Sequence, residues 1–144
     1  MAKRAIADSC YCLGLVDPSD QHHEASIKLF SDAGTHELLI PWPCLYETVS
    51  TRLVKQPEKL SAFEKLLPTL TRIDDSPYRE FALEKVFEPN FFGGHPNLTD
   101  WIIRAILSDD NLRIDALITF NHRDFKDVCW ARGIEIIPHK DDDP

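Results

Sequence analysis

A chain of 144 residues with 43% hydrophobic and 28% charged residues has the size and composition of one folded domain with a full core, which excludes a disordered or collagen-like chain. A net charge of −8 argues against binding nucleic acid through the protein's own positive field. It does not exclude a nuclease, whose site gathers carboxylates around cations that then meet the phosphate. No apolar run approaches the roughly 20 residues that span a bilayer, and Asp8 interrupts the first apolar stretch too early for an export signal, so no membrane association and a cytoplasmic location are expected.

Arg4 to Ala7 reads as a short buried strand ending on Asp8 and Ser9, followed by a Cys/Leu-rich turn. Asp17-Pro18-Ser19-Asp20 opens a helix running to about Asp32, with Ala25, Ile27, Leu29 and Phe30 apolar, and Ala33-Gly34 stops it. His22 and His23 fall in its first turn. Adjacent residues do not share a helix face, so they read as surface residues rather than a metal pair. Glu37 to Ile40 is a second strand. Pro41-Trp42-Pro43 closes it and opens a helix with Leu45, Tyr46, Val49 and Leu53 on its apolar stripe and Glu47 in its first turn, off that stripe. Gln56-Pro57 ends it, and a further helix from Glu58 carries Leu60, Phe63, Leu66 and Leu67.

Leu70 to Ile73 is a third strand, and a helix from Asp74 to about Glu88 presents Phe81, Leu83, Val86 and Phe87. The irregular stretch Pro89 to Asn97 reads as a loop beside the active site. Asn97-Leu98-Thr99-Asp100 opens the next helix, with Leu98, Trp101, Ile102, Ala105 and Ile106 apolar and Asp100 in its first turn. Ala116 to Thr119 is a buried strand, Lys126 to Ala131 a short helix stopped at Gly133, and Ile134 to Ile137 a last strand. Residues 1–138 therefore form one domain, and 139–144 a charged tail. Cys10, Cys12, Cys44 and Cys129 read as reduced thiols filling small apolar positions, since the C-x-C spacing has no second Cys/His pair to complete a zinc site.

Strands alternating with helices imply a mainly parallel sheet covered on both faces, with ligands at the carboxyl ends of the strands. Asp8 ends the first strand. Glu47 and Asp100 lie near the starts of helices that run antiparallel to the sheet, and Asn121 and Asp124 follow the fourth strand. All fall on one edge. Taken singly, Glu47 and Asp100 each have a structural use at a helix dipole, Asp100 in a box capped by Asn97, and Asp124 as a cap. Taken together, like charges repel unless a cation neutralises them, and oxygen ligands suit Mg²⁺ or Mn²⁺.

Four stretches carry a family resemblance: Ile6-Ala7-Asp8-Ser9, Pro43 to Thr51 around Glu47, Leu98-Thr99-Asp100-Trp101, and DALITFNHRDF from Asp115 to Phe125. In this order the chain resembles the PIN-domain nucleases, and among them the VapC-type toxins of bacterial toxin–antitoxin pairs. The resemblance implies a three-layer α/β fold with a five-stranded parallel sheet in the order 3-2-1-4-5. It also implies bound Mg²⁺ or Mn²⁺, RNA as substrate, endoribonuclease activity, a homodimer and a partner antitoxin that blocks the site. Many PIN domains carry Asp where this chain has Asn121, so the fourth acidic role passes to Asp124, with Asn121 able to offer a carbonyl.

By that resemblance, Asp8 and Asp100 are the main metal ligands, Glu47 holds or deprotonates the attacking water, and Ser9 and Thr119 orient these groups. Arg52, Arg104, Arg123 and Lys126 are candidates for a basic rim that contacts the RNA backbone. Phe91, Phe92 and His95 are candidates for stacking on bases or for loop packing. The dimer draws further support from Leu60, Phe63, Leu66 and Leu67, an apolar surplus for one sheet face. Two other readings stand beside the nuclease: a catalytically inactive PIN-like module that only binds RNA or protein, and a receiver domain whose phosphoacceptor would be an Asp after the third strand, at Asp74-Asp75.

Overall fold

The computed structural model describes residues 2–32, 34, 36–50, 52–88 and 96–139. Phe91, Phe92 and His95, most of the loop expected beside the site, and the tail from residue 140 lie outside the described residues.

Five strands, β1 (Arg4–Ala7), β2 (Glu37–Pro41), β3 (Leu70–Ile73), β4 (Ala116–Ile118) and β5 (Glu135–Ile137), form one sheet in the order β3-β2-β1-β4-β5. Every neighbouring pair is parallel, with Ile6 opposite both Leu39 and Leu117. This is the architecture the family resemblance implies. Ile6, Leu39, Ile40, Leu117 and Ile118 are fully buried, as central parallel strands covered on both faces must be. The edge strands differ: Thr71 and Arg72 of β3 are exposed and β5 is only half-buried, which blunts both edges against pairing. The same order removes the receiver reading. A receiver sheet runs 2-1-3-4-5 with its third strand central, whereas β3 is an outer strand here. Asp75, buried after β3, is held by Arg79 Nε and Nη2 at 3.0 and 2.9 Å.

Seven helices are formed by the described residues: α1 (Ser9–Val16), α2 (His23–Asp32), α3 (Trp42–Ser50), α4 (Pro57–Leu66), α5 (Arg79–Val86), α6 (Leu98–Leu107) and α7 (Lys126–Arg132). α1 stands where a turn was expected. Its sequence, SCYCLGLV, is apolar on all sides and shows no helical period; burial of Tyr11, Cys12 and Gly14 accounts for that. Asp8, which looked like a strand terminus, also caps it by accepting from Ser9 N at 2.7 Å. α2 begins later than expected because Asp17-Pro18-Ser19-Asp20 is spent in turns: Asp17 Oδ1 accepts from Ser19 N and Oγ, and Asp20 Oδ1 from His22 N. His22 and His23 are half-buried rather than surface residues. His22 stacks on Phe120 at 4.0 Å, and His23 Nδ1 lies 2.7 Å from Gly14 O.

α5 buries Ala82 and exposes Phe81 and Leu83, with Phe87 exposed just beyond it, so its expected apolar face is largely solvent-facing. On α4, Phe63 is buried, and Leu60, Leu66 and the following Leu67 pack against the core. Leu60, Phe63 and Leu67 also line an open, mostly apolar surface hollow with Trp42, Leu45, Tyr46 and Val49, so part of the expected surplus faces outward. Gly133, at φ 66°, ends α7 in the left-handed region that favours glycine.

α1 and α2 touch closely at Gly14. A Cβ there would collide with Ser26 Oγ and lie 3.1 Å from the backbone oxygen of His22. Gly14→Ala should therefore lower stability by about 1–3 kcal/mol in a urea titration, and a neutral result would contradict this packing.

Candidate active site

The carboxyl ends of β1 and β4 meet where Asp8 N donates to Ile118 O at 3.0 Å. That bond brings the loops after both strands side by side. Asp8 is buried, at 6% exposure, and its two oxygens are surrounded by neutral donors. Oδ1 accepts from Ser9 N at 2.7 Å and lies 3.8 Å from Cys44 Sγ. Oδ2 accepts from Thr119 Oγ1 at 2.8 Å and lies 3.6 Å from Cys10 Sγ. Thr119 is fully buried and in turn accepts from Asn121 N at 3.0 Å. The β4 loop thereby fixes one side of the carboxylate.

Glu47 reaches the same place from α3. It sits in the second turn, not the first, because the helix already begins at Trp42 directly after β2. A capping role is thus removed, and what remains is its contact with Ser9 Oγ, which donates to Glu47 Oε1 at 3.0 Å. Asp100 enters from the start of α6, where Asn97 Oδ1 accepts from Asp100 N at 2.9 Å and anchors the turn. Asp124 follows β4, accepts from Asn121 Nδ2 at 2.8 Å and is not the cap of α7. Asn121 thus supports Asp124 instead of replacing it.

Electrostatics set this cluster apart. Elsewhere the sheltered acids have cations: Asp17 takes Lys59 Nζ at 2.7 Å, Asp20 takes Arg52 Nη2 at 2.6 Å, and Asp75 takes Arg79. Among the described residues, Asp8, Glu47 and Asp100 form no ion pair, and Asp124 has only the loose, exposed Arg123 at 3.9 Å. The consequence falls on proton affinity. Burial and then the charges of Asp8 and Asp124 push the Asp100 carboxyl up to about 7. Burial and the Asp8 charge raise Glu47 as well, against the opposing bond from Ser9. Asp17 moves the opposite way, well below the usual carboxylate range, through Lys59 and the Ser19 hydroxyl.

The four candidates for a basic rim fall into two pairs. Arg104 is buried, its guanidinium bidentate to Asp127 at 2.7 and 2.8 Å and donating to Asp124 O at 2.7 Å. Arg52 is tied to Asp20 at 2.6 Å and Asp17 at 3.1 Å. These contacts give both residues a role in holding the fold, with Arg52 still exposed, and Arg104 also braces the Asp124 loop. Arg123 and Lys126 are exposed beside the acidic edge.

Two features escaped the sequence reading: the His22–Phe120 stack behind the β4 loop, and the approach of Cys10 and Cys44 to Asp8. Cys44 precedes Glu47 by one helical turn, a spacing legible in the sequence had the cysteines been weighed as neighbours of the acids. Among the described residues, Asp8, Cys44 and Glu47 each bring one ligand atom within 4.8 Å of one another, a group that could hold a divalent cation, and Asp100 stands close enough for the charges of Asp8, Asp124 and Glu47 to act on it.

A measurable pH dependence follows. In the folded, cation-free chain Asp100 keeps its proton up to about pH 7, against 3.8 for a free aspartate, so unfolding releases a proton across that window. Its contribution to stability is complete below the lower value and is lost as pH rises to the upper one. In chelator, Asp100→Asn should lack this loss between about pH 4 and 7 and melt above the unsubstituted chain at pH 8. Identical melting profiles for the two would show that the charges do not act on Asp100.

Solved structures share the architecture. A chain of VapBC2 from Rickettsia felis, bound to a DNA fragment from their promoter, matches with a TM-score of 0.61 over 92% of this chain and 96% of its own, at 18% identity. A chain of DNA-bound VapBC from Salmonella typhimurium matches with a TM-score of 0.55 over 94% and 97%, at 17% identity. No family model and no curated protein sequence matches. The parallel sheet in the order 3-2-1-4-5, the flanking helices and the near-complete overlap in both directions give this chain the PIN-like fold of the VapC-type structures.

Proposed function

We propose that the chain is a Mg²⁺- or Mn²⁺-dependent endoribonuclease and the toxin of a toxin–antitoxin pair, with residues 1–138 as the nuclease domain and 139–144 as an appended tail. The observation that carries this reading is the clustering at the carboxyl edge of Asp8, Glu47 and Asp100, which among the described residues form no ion pair, on a fold shared with VapBC structures. A bound divalent cation supplies Lewis acidity at the phosphoryl oxygen and a more acidic water. The chain supplies the geometry. Ser9 N and Thr119 Oγ1 fix the Asp8 carboxylate, and Asn97 fixes the backbone at Asp100, the two residues that hold the cation. Glu47, tethered to Ser9 and with raised proton affinity, accepts the proton of the attacking water as general base. The water oxygen bonds to phosphorus as the bond to the leaving sugar oxygen breaks. Asn121 orients Asp124 as a further oxygen donor, and Arg123 and Lys126 meet backbone phosphates.

The inactive-module alternative leaned on Asn121 standing where an Asp is common. Its hydrogen bond to Asp124 weakens that support, because the carboxylate is kept three residues on. An antitoxin partner is proposed from the likeness to VapBC complexes. A homodimer is proposed on the face expected: Leu60, Phe63 and Leu67 line one mostly apolar surface hollow with Trp42, Leu45, the exposed Tyr46 and Val49. Among the described residues no helix is long and apolar enough to cross a membrane, and the cytoplasm, where RNA is available, is the proposed location.

The test is the purified chain against a mixed RNA pool with Mn²⁺ and with chelator, mapping the cut positions. Cleavage should require the cation and fall more than about 100-fold in Asp8→Asn and Asp100→Asn. Undiminished cleavage by both variants would reject these roles.

A further inference from the structure

Cys44 is the donor at the acidic edge that the proposed hydrolysis does not use. It is fully buried, yet its thiol points into the site, 3.8 Å from Asp8 Oδ1. It lies three residues before Glu47 on α3, so both side chains leave the same helix face. Cys44 Sγ, one oxygen of Asp8 and one of Glu47 all lie within 4.8 Å of one another. A tetrahedral ion with a sulfur ligand at about 2.3 Å and oxygen ligands near 2.1 Å needs sulfur–oxygen separations of about 3.6 Å. The Cys44–Asp8 separation is already close to that value.

Resting on the reading that this edge holds a divalent cation, we propose that Cys44 is a sulfur ligand for thiophilic cations. It would make the centre a site for Zn²⁺ or Cd²⁺ that competes with the ion used for hydrolysis. Mg²⁺ and Mn²⁺ are oxygen-seeking, and with them the thiol keeps its proton and its weak bond to Asp8. A softer cation breaks the S–H bond, forms a metal–sulfur bond and releases one proton to solvent. Asp8, Glu47 and Cys44 then give three protein ligands, the number common in centres with one open position. This occupancy takes Glu47 away from its role as base, so the softer ion silences the site. Cys10 approaches Asp8 from the other oxygen, next to Thr119, and lies outside this triad.

The experiment titrates the purified full chain with Cd²⁺ and follows the thiolate-to-cadmium charge-transfer absorption, with Mn²⁺-induced thermal stabilisation measured in parallel. The unsubstituted chain and Cys10→Ser should show a band that saturates at one equivalent. Cys44→Ser and Cys44→Ala should lose the band and bind Cd²⁺ at least about tenfold more weakly, while Mn²⁺ still raises their melting temperature. A band retained in the Cys44 variants, or absent from the unsubstituted chain, overturns the proposal. The cadmium-113 chemical shift of the unsubstituted complex reads the same point without a substitution: a shift of sulfur-containing coordination supports it, and one of oxygen-only coordination overturns it. Mn²⁺ stabilisation judges the metal-dependent nuclease reading separately, since its absence rejects that reading whatever the cadmium band shows.

Discussion

Mutual repulsion of carboxylates at one sheet edge is the constraint around which this structure is arranged. Four acids arrive from four segments far apart in sequence, and among the described residues three of them meet no cation. Such an arrangement costs stability in the isolated protein and persists only where the surrounding fold fixes it. Most of the fixing groups are neutral: the Ser9 amide, the Thr119 hydroxyl, the Asn97 side-chain carbonyl and the Asn121 amide each hold a carboxylate or its backbone without cancelling charge. These neutral groups position the acids and leave their charge available to a bound cation.

The parallel sheet is what makes this possible. Every strand ends on the same side, so the residues after β1 and β4 become neighbours through one backbone hydrogen bond. Helices that return antiparallel to the strands start on that side, which delivers Asp100 from the first turn of α6 and Glu47 from the second turn of α3. Cations are used elsewhere, where they tie elements together. Arg52 and Lys59 anchor the turn after α1 through Asp17, and Arg104 joins α6 to α7. Arg104 serves the site as well, since it also grips the backbone of Asp124. The division is physical: a paired acid cements the fold, and an unpaired one stays available for chemistry.

Much of this was legible in the sequence because alternating apolar runs and polar helix starts fix topology before any contact is known. Asp8, Glu47, Asp100 and Asp124 could be placed on one edge from that alternation alone. Other features were hidden for specific reasons. α1 has no polar face, so no period marks it, and Asp8 serves strand and helix at once. Arg52 and Arg104 looked like surface cations because sequence cannot show that each meets a carboxylate from a distant segment. Phe81 and Leu83 looked like core because they are large and apolar, although the buried position on α5 is Ala82. Cys44 looked like filler, and only the packing of α3 against α1, which Asp8 caps, shows its thiol on Asp8.

The central claim is that the acidic edge is strained by its own charge and completed by a divalent cation. The rank order of two melting temperatures tests it most directly. In chelator at pH 8, Asp100→Asn should melt above the unsubstituted chain, because one repelling charge has been removed. In saturating Mn²⁺ the order should reverse, because the unsubstituted chain gains linkage stabilisation that the variant has lost. The same rank order in both buffers, with Mn²⁺ shifting neither protein, would contradict the account.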